Sequence, residues 1–126
     1  MTEAEIRACY EALGEGNVDP LVSRLADDCV LDFPGTVFGG RHQGARKIRV
    51  FIRQNQRLFD GGLKFTVQWA GTSGNRVIAQ WTNAGTTKTG IEYANRGITV
   101  FTFEGAKIVR IEDYLDTETL TETWPK

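Results

Sequence analysis

From Leu63 onward, apolar and polar residues alternate along most of the chain, and this alternation predicts that the second half is a β-sheet. Apolar side chains occupy every second position from Leu63 to Trp69. Successive side chains of a strand point to opposite faces, so the pattern is typical of a sheet with one buried face. Turn sequences at Ser73–Asn75 and Glu104–Ala106 divide the region. The predicted antiparallel strands cover 63–70, 76–83, 91–103 and 107–115.

The first half shows helical periodicity instead. Apolar residues recur at intervals of three and four between Ile6 and Leu13, and Thr2 and Glu5 have the spacing of a capping box. Three helices packed on one side of a curved antiparallel sheet make an α+β fold, and such an arrangement encloses a cone-shaped, mostly apolar pocket. The predicted elements of this half are helices over 3–15, 20–27 and 45–59, a short strand over 29–33 and a glycine-rich loop over 34–44; residues 116–126 are predicted to form a polar tail.

The composition excludes several classes of protein. The chain has 126 residues, 40% apolar and 25% charged, which fits one soluble globular domain over residues 1–126. No stretch approaches the ~20 apolar residues that cross a bilayer, and the charged start is unlike a signal peptide, so we expect a cytoplasmic protein without a membrane partner. The net charge of −1 gives no indication of a nucleic-acid partner. Cys9 and Cys29 are expected to be reduced and buried, and a metal site combining them with His42 is not expected.

The order of elements and two segments carry a family resemblance. The segments are LADDCVLDFPG at 25–35 and NRGITVFTFEGAKIVRIEDYLD at 95–116, and they resemble the nuclear-transport-factor-2-like superfamily. Within it, the chain is most similar to the SnoaL-like group, the relatives of polyketide cyclases, ketosteroid isomerases and limonene epoxide hydrolase. The most specific part is the pattern FxFxxxKIxxxxDYxD at Phe101–Asp116. The resemblance implies a small-molecule pocket, no metal or other cofactor, and often a homodimer through the outer face of the sheet.

The catalytic residues of ketosteroid isomerases have no full counterpart in this chain. Their general base stands just before the proline, where this sequence has Phe33, with Asp32 one residue earlier. Their oxyanion-binding acid corresponds to Thr99, and their first-helix tyrosine falls near Cys9, beside Tyr10. These departures argue against steroid isomerisation, since a one-residue step along a strand turns a side chain to the other face.

Limonene epoxide hydrolase is matched in part. That enzyme uses an Asp–Arg–Asp set to activate water and to protonate the epoxide. Asp113, in the DYxD segment, matches one aspartate, whereas Gln80 and Thr82 stand where the arginine and the other aspartate would lie. The sequence therefore supports epoxide hydrolysis only in part, because it retains one of the three groups of the Asp–Arg–Asp set.

Strand alternation supplies a candidate site independently of the family. If Asp113 faces the pocket, then Val109 and Ile111 of the same strand do so too. A carboxylate at the end of an apolar stripe has its pKa raised by desolvation, which suits general acid or base catalysis near neutral pH. The alternative is that Asp113 only accepts hydrogen bonds from the backbone or from Asn95.

The remaining candidates come from strand alternation, from the inner stripe of the first helix and from the glycine-rich loop. Asp32 is predicted to be a second catalytic carboxylate at the mouth of the pocket, with the capping of the turn before Pro34 as the alternative. Gly97, on the long strand, is expected to leave room for a ligand or a bent backbone. The predicted substrate-binding residues are Tyr93, Asn95, Thr99, Tyr10, Phe33, Val37, Phe38, Phe101 and Ile111.

Three other features have more ordinary explanations than catalysis. His42 is predicted to be a surface histidine, with proton shuttling as the alternative. The basic residues of the third helix are predicted to form a solvated face, since no aromatic stacking platform adjoins them. If Gln80 and Thr82 face the pocket, Trp81 lies on the outer sheet surface, where an exposed tryptophan marks a homodimer interface.

Two functions of different class remain open. The first is a cofactor-free acid–base enzyme of isomerase, cyclase or epoxide-hydrolase type, which acts on a small hydrophobic molecule through Asp113, with Tyr93 and Asn95 orienting the substrate. The second is a non-catalytic ligand-binding or dimerisation module of the same fold. A weaker third hypothesis is an RNA- or phosphate-binding protein that uses the basic helix, and its binding would depend steeply on salt.

Overall fold

The computed structural model describes residues 1–125, which form four helices and six strands. The predicted α+β class is confirmed, and the predicted first and third helices and the four strands of the second half are each found within a few residues of their predicted ends. The elements in chain order are α1 (Glu3–Gly14), α2 (Asp19–Val22), β1 (Leu25–Phe33), β2 (Gly40–Gln43), α3 (Ala45–Arg57), β3 (Lys64–Ser73), β4 (Arg76–Thr86), β5 (Glu92–Glu104), β6 (Lys107–Leu115) and α4 (Thr117–Thr123).

The strands form one open sheet in the order β2-β1-β6-β5-β4-β3. Neighbouring strands are antiparallel except β1 and β6, which run parallel, so the sheet is mixed rather than purely antiparallel as predicted. Parallel neighbours need a long crossover connection. The chain between β1 and β6 includes α3 and four strands, which supplies that length.

The first helix is held at its start by its cap and along its length by the core. Thr2 Oγ1 accepts a hydrogen bond from the Glu5 backbone at 3.1 Å, and the Glu5 carboxylate accepts one from the Thr2 backbone at 3.2 Å, as the capping-box spacing predicts. The buried stripe of α1 packs into the same apolar cluster as the inner face of the sheet. Its members are Ile6, Cys9, Tyr10 and Leu13.

The predicted second helix over 20–27 is mostly wrong, because α2 ends at Val22 and Leu25 already belongs to β1. Leu25 pairs with Ile108 of β6, and the Ile108 backbone donates a hydrogen bond to the carbonyl oxygen of Arg24 at 2.8 Å. Pairing with a distant strand therefore overrides the local preference for helix in this short segment.

Two elements lie in segments that the sequence predicted to be irregular. Residues Gly40–Gln43 of the glycine-rich loop form β2, which pairs with the end of β1. The predicted polar tail contains α4, whose first turn is capped by the Asp116 carboxylate, an acceptor for the backbone of Glu118 at 3.0 Å and of Thr119 at 3.3 Å. Of the two, α4 adds a wall to the space between the helices and the sheet, through Leu120.

Two further observations concern membranes and cysteines. Within residues 1–125, the structure contains no helix that combines the length and the apolar character needed to cross a membrane. Cys9 and Cys29 are buried and unpaired, as the sequence predicts.

Candidate functional site

A cavity of about 120 Å³, partly open to solvent, lies between the helices and the inner face of the sheet. Its walls are mostly apolar and aromatic, and they come from α1, α3, β3, β4, β5, β6 and α4 as well as from the end of β1. Seven of the eleven residues that the sequence assigned to the site line this cavity: Asp113, Tyr93, Thr99, Tyr10, Phe33, Phe101 and Ile111. The other four, Asp32, Asn95, Val37 and Phe38, lie elsewhere.

Asp113 is the one charged residue in the described lining of the cavity. Thr99, directly opposite on β5, donates a hydrogen bond from Oγ1 to Asp113 Oδ1 at 2.6 Å. Trp81 Nε1 donates to the same Thr99 oxygen at 2.9 Å. Because the indole only donates, the threonine proton is directed to the carboxylate, so Asp113 Oδ1 is held as an acceptor.

Burial raises the pKa of Asp113 to about 6, and the hydrogen bond from Thr99 opposes part of that rise. The side chain is surrounded by packed atoms yet keeps some accessible surface. Burial also raises the pKa of Tyr10, and the negative charge of Asp113 adds to the rise, so the Tyr10 hydroxyl stays protonated. A carboxyl group that titrates near neutral pH in an apolar cavity can both take and release a proton.

Trp81 faces the cavity and is 3% exposed, so the predicted place on the outer sheet surface is wrong. Gln80 and Thr82 consequently face outward. Gly97 stands opposite Trp81, and a Cβ atom there would lie 2.6 Å from Trp81 Cζ2. The room predicted at Gly97 is thus filled by the indole. Val77 and Ala79 share a face of β4 with Trp81. Their apolar side chains were the signal in the sequence that this face of β4 is the buried one.

The predicted shared face of Val109 and Ile111 is also wrong. Ile108 and Ile111 are 0% and 3% exposed, whereas Val109 is only partly buried and does not line the cavity. The pairing of β5 with β6 shifts by one residue between Thr102 and Phe103. Such a bulge changes the face on which later residues lie.

Asn95 joins β5 to the C-terminal segment instead of lining the cavity. Its Nδ2 donates to the Tyr93 hydroxyl at 2.8 Å and to the Asp116 carbonyl oxygen at 3.0 Å. Its Oδ1 accepts hydrogen bonds from the backbones of Arg96 and Asp116 at 2.8 and 3.3 Å. Asn95 therefore positions Tyr93, which does line the cavity, and burial raises the pKa of that tyrosine.

An aromatic cluster closes the end of the cavity beneath α4, and sequence reasoning missed it. The Trp124 ring centroid lies 5.7 Å from that of Phe59, 5.3 Å from that of Tyr93 and 5.3 Å from that of Phe38. Phe38 and the buried Val37 belong to this cluster but not to the cavity wall. The sequence assigned residues 116–126 to a polar tail, and Trp124 was the signal that this segment packs on the core.

Asp32 lies among arginines on the opposite face of β1 from the cavity. Its Oδ1 accepts a hydrogen bond from Arg41 at 3.0 Å, and its Oδ2 accepts one from Arg110 at 2.9 Å. Partial burial raises the pKa of Asp32, but the two arginines outweigh that effect and leave the pKa below its usual value. The structure thus does not place Asp32 at the mouth of the cavity, and its ion pairs link β1 with β2 and β6.

Polar groups on α3 and β4 complete the lining. Both polar atoms of the Gln56 side chain bond to the main chain of Leu63. Its Nε2 donates to the Leu63 carbonyl oxygen at 3.3 Å, and its Oε1 accepts from the Leu63 backbone N–H at 2.8 Å. Asn55 donates to the Phe51 carbonyl oxygen at 2.9 Å. Asn83, which the sequence did not single out, has a buried Oδ1 without a hydrogen-bond partner. Among residues 1–125, no three His, Cys, Asp or Glu side chains are grouped so as to hold a metal ion.

The model of the SnoaL-like domain family matches residues 6–111, which is most of the chain. The chain belongs to the SnoaL-like domain family. The chain is similar in structure to an NTF2-like protein of unknown function from Burkholderia pseudomallei K96243, with 22% identity, full coverage of both chains and a TM-score of 0.86. It is similar to a putative SnoaL-like polyketide cyclase from Jannaschia sp. CCS1, with 12% identity, 98% and 92% coverage and a TM-score of 0.81.

A third structure similar to this SnoaL-like domain is TerC co-crystallised with polyporic acid, with 22% identity, 94% coverage of each chain and a TM-score of 0.80. No protein of curated function matches the chain. At these identities the structural similarities establish the fold. They leave the chemistry of this SnoaL-like domain to be argued from its own residues.

The inward-facing residues of β4 in this SnoaL-like domain differ from those that the epoxide-hydrolase resemblance implied. Gln80 and Thr82 are on the outer face, while Trp81 and Asn83 line the cavity. Asp113 therefore has Thr99 and Trp81 as its polar neighbours, rather than an arginine and a second carboxylate. The arrangement fits a single acid–base group better than an Asp–Arg–Asp set.

Proposed function

We propose that this SnoaL-like domain binds a small hydrophobic molecule in its cavity and catalyses a cofactor-free proton transfer with Asp113 as the acid or base. The observation that carries the proposal is the Asp113 carboxyl group, which faces an apolar cavity and receives only one hydrogen bond within the described residues. Oδ1 is occupied by Thr99, so Oδ2 is the atom that exchanges a proton with the ligand. Isomerisation, cyclisation and water addition all need such a group.

The charge of the cavity indicates the class of substrate. Its described lining contains Asp113 but no lysine, arginine or histidine. An anionic substrate would have no cation to meet and would be repelled by the ionised carboxylate. We therefore infer a neutral, largely apolar substrate, and the hydroxyl groups of Tyr10 and Tyr93 are among the neutral groups that can orient its polar atoms.

Two of the similar structures agree with a cavity for organic molecules. One is described as a putative polyketide cyclase, and the other, TerC, was crystallised with polyporic acid. A cavity of about 120 Å³ is close in size to the roughly 150 Å³ apolar cavities that bind benzene in engineered proteins. A single ring is thus about the largest ligand unit that fits inside without movement of the walls.

The experiment that tests this proposal combines binding with turnover. The chain is incubated with a panel of neutral epoxides and unsaturated ketones, and substrate loss is followed by chromatography for the wild type, Asp113→Asn and Asp32→Asn. Turnover by the wild type and by Asp32→Asn, with a loss of about 100-fold or more in Asp113→Asn, supports acid–base catalysis. Equal turnover by Asp113→Asn contradicts it. Binding without turnover by any variant favours the second hypothesis, a ligand-binding module.

We also propose that the domain forms a homodimer through the outer face of its sheet in a cytoplasmic setting. The register aligns Trp69, Gln80, Ile98 and Tyr114 in one row across β3, β4, β5 and β6. Three members of this row are large and exposed, with exposed fractions of 52% for Trp69, 40% for Ile98 and 55% for Tyr114. A contiguous patch of this kind is typical of an interface between protein chains. The row replaces Trp81 as the support for the predicted dimer.

A further inference from the structure

Asn83 is a buried polar side chain that makes no internal use of its carbonyl oxygen. The residue is 7% exposed, it lines the cavity, and its Oδ1 has no hydrogen-bond partner within the described residues. A buried acceptor that lacks a donor is costly, and native proteins satisfy almost all such atoms. The position therefore needs an explanation outside the internal hydrogen-bond network.

The neighbours of Asn83 in the sheet do not satisfy this atom. Asn95 stands opposite on β5, but both of its donor hydrogens are used by Tyr93 and Asp116. Phe65 stands opposite on β3 and offers only a ring. Since neither neighbour donates a hydrogen bond to Oδ1, the donor that satisfies it has to come from a group inside the cavity.

The surroundings of Asn83 are aromatic along its own strand as well. Trp81 precedes it on the same face of β4. Two residues beyond it, Gly85 has no side chain, and the Phe59 ring occupies that space, with Cδ1 only 2.9 Å from where a Cβ atom would be. Asn83 thus stands on β4 between Trp81 and the position that the Phe59 ring fills, and these aromatic surroundings suit a flat ring that carries a hydrogen-bond donor.

We propose that Asn83 Oδ1 accepts a hydrogen bond from a hydroxyl group of the bound ligand, and that this contact selects hydroxylated rings over rings without a donor. The inference rests on the proposed ligand-binding function of the cavity. Asn83 lies four residues along β4 from Ala79, which pairs with Thr99, so its Cα is roughly 13 Å along the sheet from the level of Thr99 and Asp113. The selecting group and the acid–base group are therefore at separate ends of the site.

The test compares phenol with toluene, which are similar in size but differ in a hydroxyl against a methyl group. The dissociation constants of both probes are measured by NMR titration of the full chain, for the wild type and for Asn83→Leu. Taking the ratio of the two constants in each protein and comparing the ratios cancels the difference in hydration between the probes. We expect Asn83→Leu to shift the ratio against phenol by about fivefold, the size of one neutral hydrogen bond.

Three controls separate Asn83 from other sources of preference. Thr82→Val changes the adjacent outward-facing residue and leaves the ratio at its wild-type value. Asp113→Asn shows at which end the hydroxyl binds, because Asp113 Oδ2 is the other open acceptor in the described lining; a hydroxyl held by Asn83 gives a ratio that depends on Asn83 and not on Asp113. Asn83→Ala removes the amide without adding a bulky side chain, and it gives the same comparison if the leucine variant does not fold.

Each other outcome has a definite meaning. If both probes bind and the ratio is unchanged in Asn83→Leu, the proposed role of Asn83 is wrong while the ligand-binding function stands. If the ratio changes in Asp113→Asn instead, the hydroxyl binds at Asp113, and the proposal is again overturned. If neither probe binds the wild type, both the role of Asn83 and the proposed function of the cavity are contradicted.

Discussion

Thr99 Oγ1 lies 2.6 Å from Asp113 Oδ1 and donates its proton to it, while it accepts the indole hydrogen of Trp81. This chain of two hydrogen bonds connects β4, β5 and β6 at the point where the only charged group of the described lining meets the cavity. It stabilises the ionised form of a carboxyl group whose burial favours the neutral form. The balance of the two effects leaves a group that titrates near neutral pH.

Asp113→Asn is expected to raise the stability of the folded chain at pH 7. The pKa of Asp113 is about 6 in the fold and about 4 in an unfolded chain, so between those pH values the folded state holds the proton more tightly. The wild type accordingly loses stability as pH rises from 4 to 6, by on the order of 3 kcal/mol, and the loss persists above pH 6. Asparagine avoids this loss and still accepts the Thr99 hydrogen bond.

The measurement is the melting temperature of wild type and Asp113→Asn at pH 4.5 and pH 7. We expect the melting temperature of the variant, relative to that of the wild type, to be several degrees higher at pH 7 than at pH 4.5. A clear drop for the variant at pH 7 would identify Asp113 as an ionised structural acceptor and would remove the main residue of the proposed mechanism.

Asp32→Asn is the matched carboxylate control, and its pH dependence is opposite in sign. The pKa of Asp32 is lowered in the fold, so its contribution to stability is present above about pH 4 and is lost as pH falls further. The side chain is partly exposed, so we expect a loss of at most about 1 kcal/mol. This loss should be constant between pH 4.5 and pH 7, and chemical denaturation at both values measures it.

Thr99→Val is expected to raise the pKa of Asp113 above its value of about 6, because the variant removes the hydrogen bond that favours the carboxylate. Valine has nearly the same shape as threonine, so the walls of the cavity keep their volume. The pKa is followed by carbon NMR of the side-chain carboxyl group in both proteins. An unchanged or lower pKa would show that the hydroxyl of Thr99 does not act on the carboxylate.

Gly97→Ala is expected to destabilise the fold by about 1–3 kcal/mol through overpacking. The added Cβ would lie 2.6 Å from Trp81 Cζ2 and equally close to the backbone oxygen of Tyr114, which cannot move away independently. Chemical denaturation measures the loss. Adding Trp81→Phe, which shortens the ring, should recover part of the stability; a fully additive double variant would contradict the contact.

Trp69→Glu is expected to convert a dimer into a monomer, because it replaces the largest exposed side chain of the row on the outer sheet face, at its β3 end, with a charge. Size-exclusion chromatography with light scattering at micromolar concentration measures the mass. The control is Val50→Glu, which changes a residue of similar exposure, 49%, on helix α3. A monomeric wild type, or equal effects of both substitutions, would contradict the proposed interface.

Local sequence patterns predicted the elements whose burial follows a simple period. The stripe from Ile6 to Leu13 and the alternation along β5 placed Tyr10, Tyr93, Thr99 and Phe101 on the inner side, where the structure has them. In both cases one face is buried along the whole element, so the amino-acid order alone carries the orientation. The family resemblance rested on one segment from each half of the chain, residues 25–35 and 95–116.

The composition of the cavity depended on contacts between distant segments. Trp81 was placed outside because alternation gives two opposite faces without saying which of them is buried, and the packing of the indole over Gly97 fixes it on the inner face. Asp32 appeared equivalent to Asp113 as a carboxylate near a strand end, yet two arginines from other strands pair with it on the far face. The orphaned oxygen of Asn83 and the aromatic closure by Trp124 likewise exist only once β3, β5 and α4 are in place.

The sequence by itself determined the α+β class, the succession of helices and strands, and the burial of the inner stripe, because these depend on periods of two and 3.6 residues within one segment. The tertiary structure decided which polar groups are paired and which are left facing the cavity. That outcome depends on registers and on bulges such as the one between Thr102 and Phe103, where a single-residue shift moves a side chain from one face of the sheet to the other.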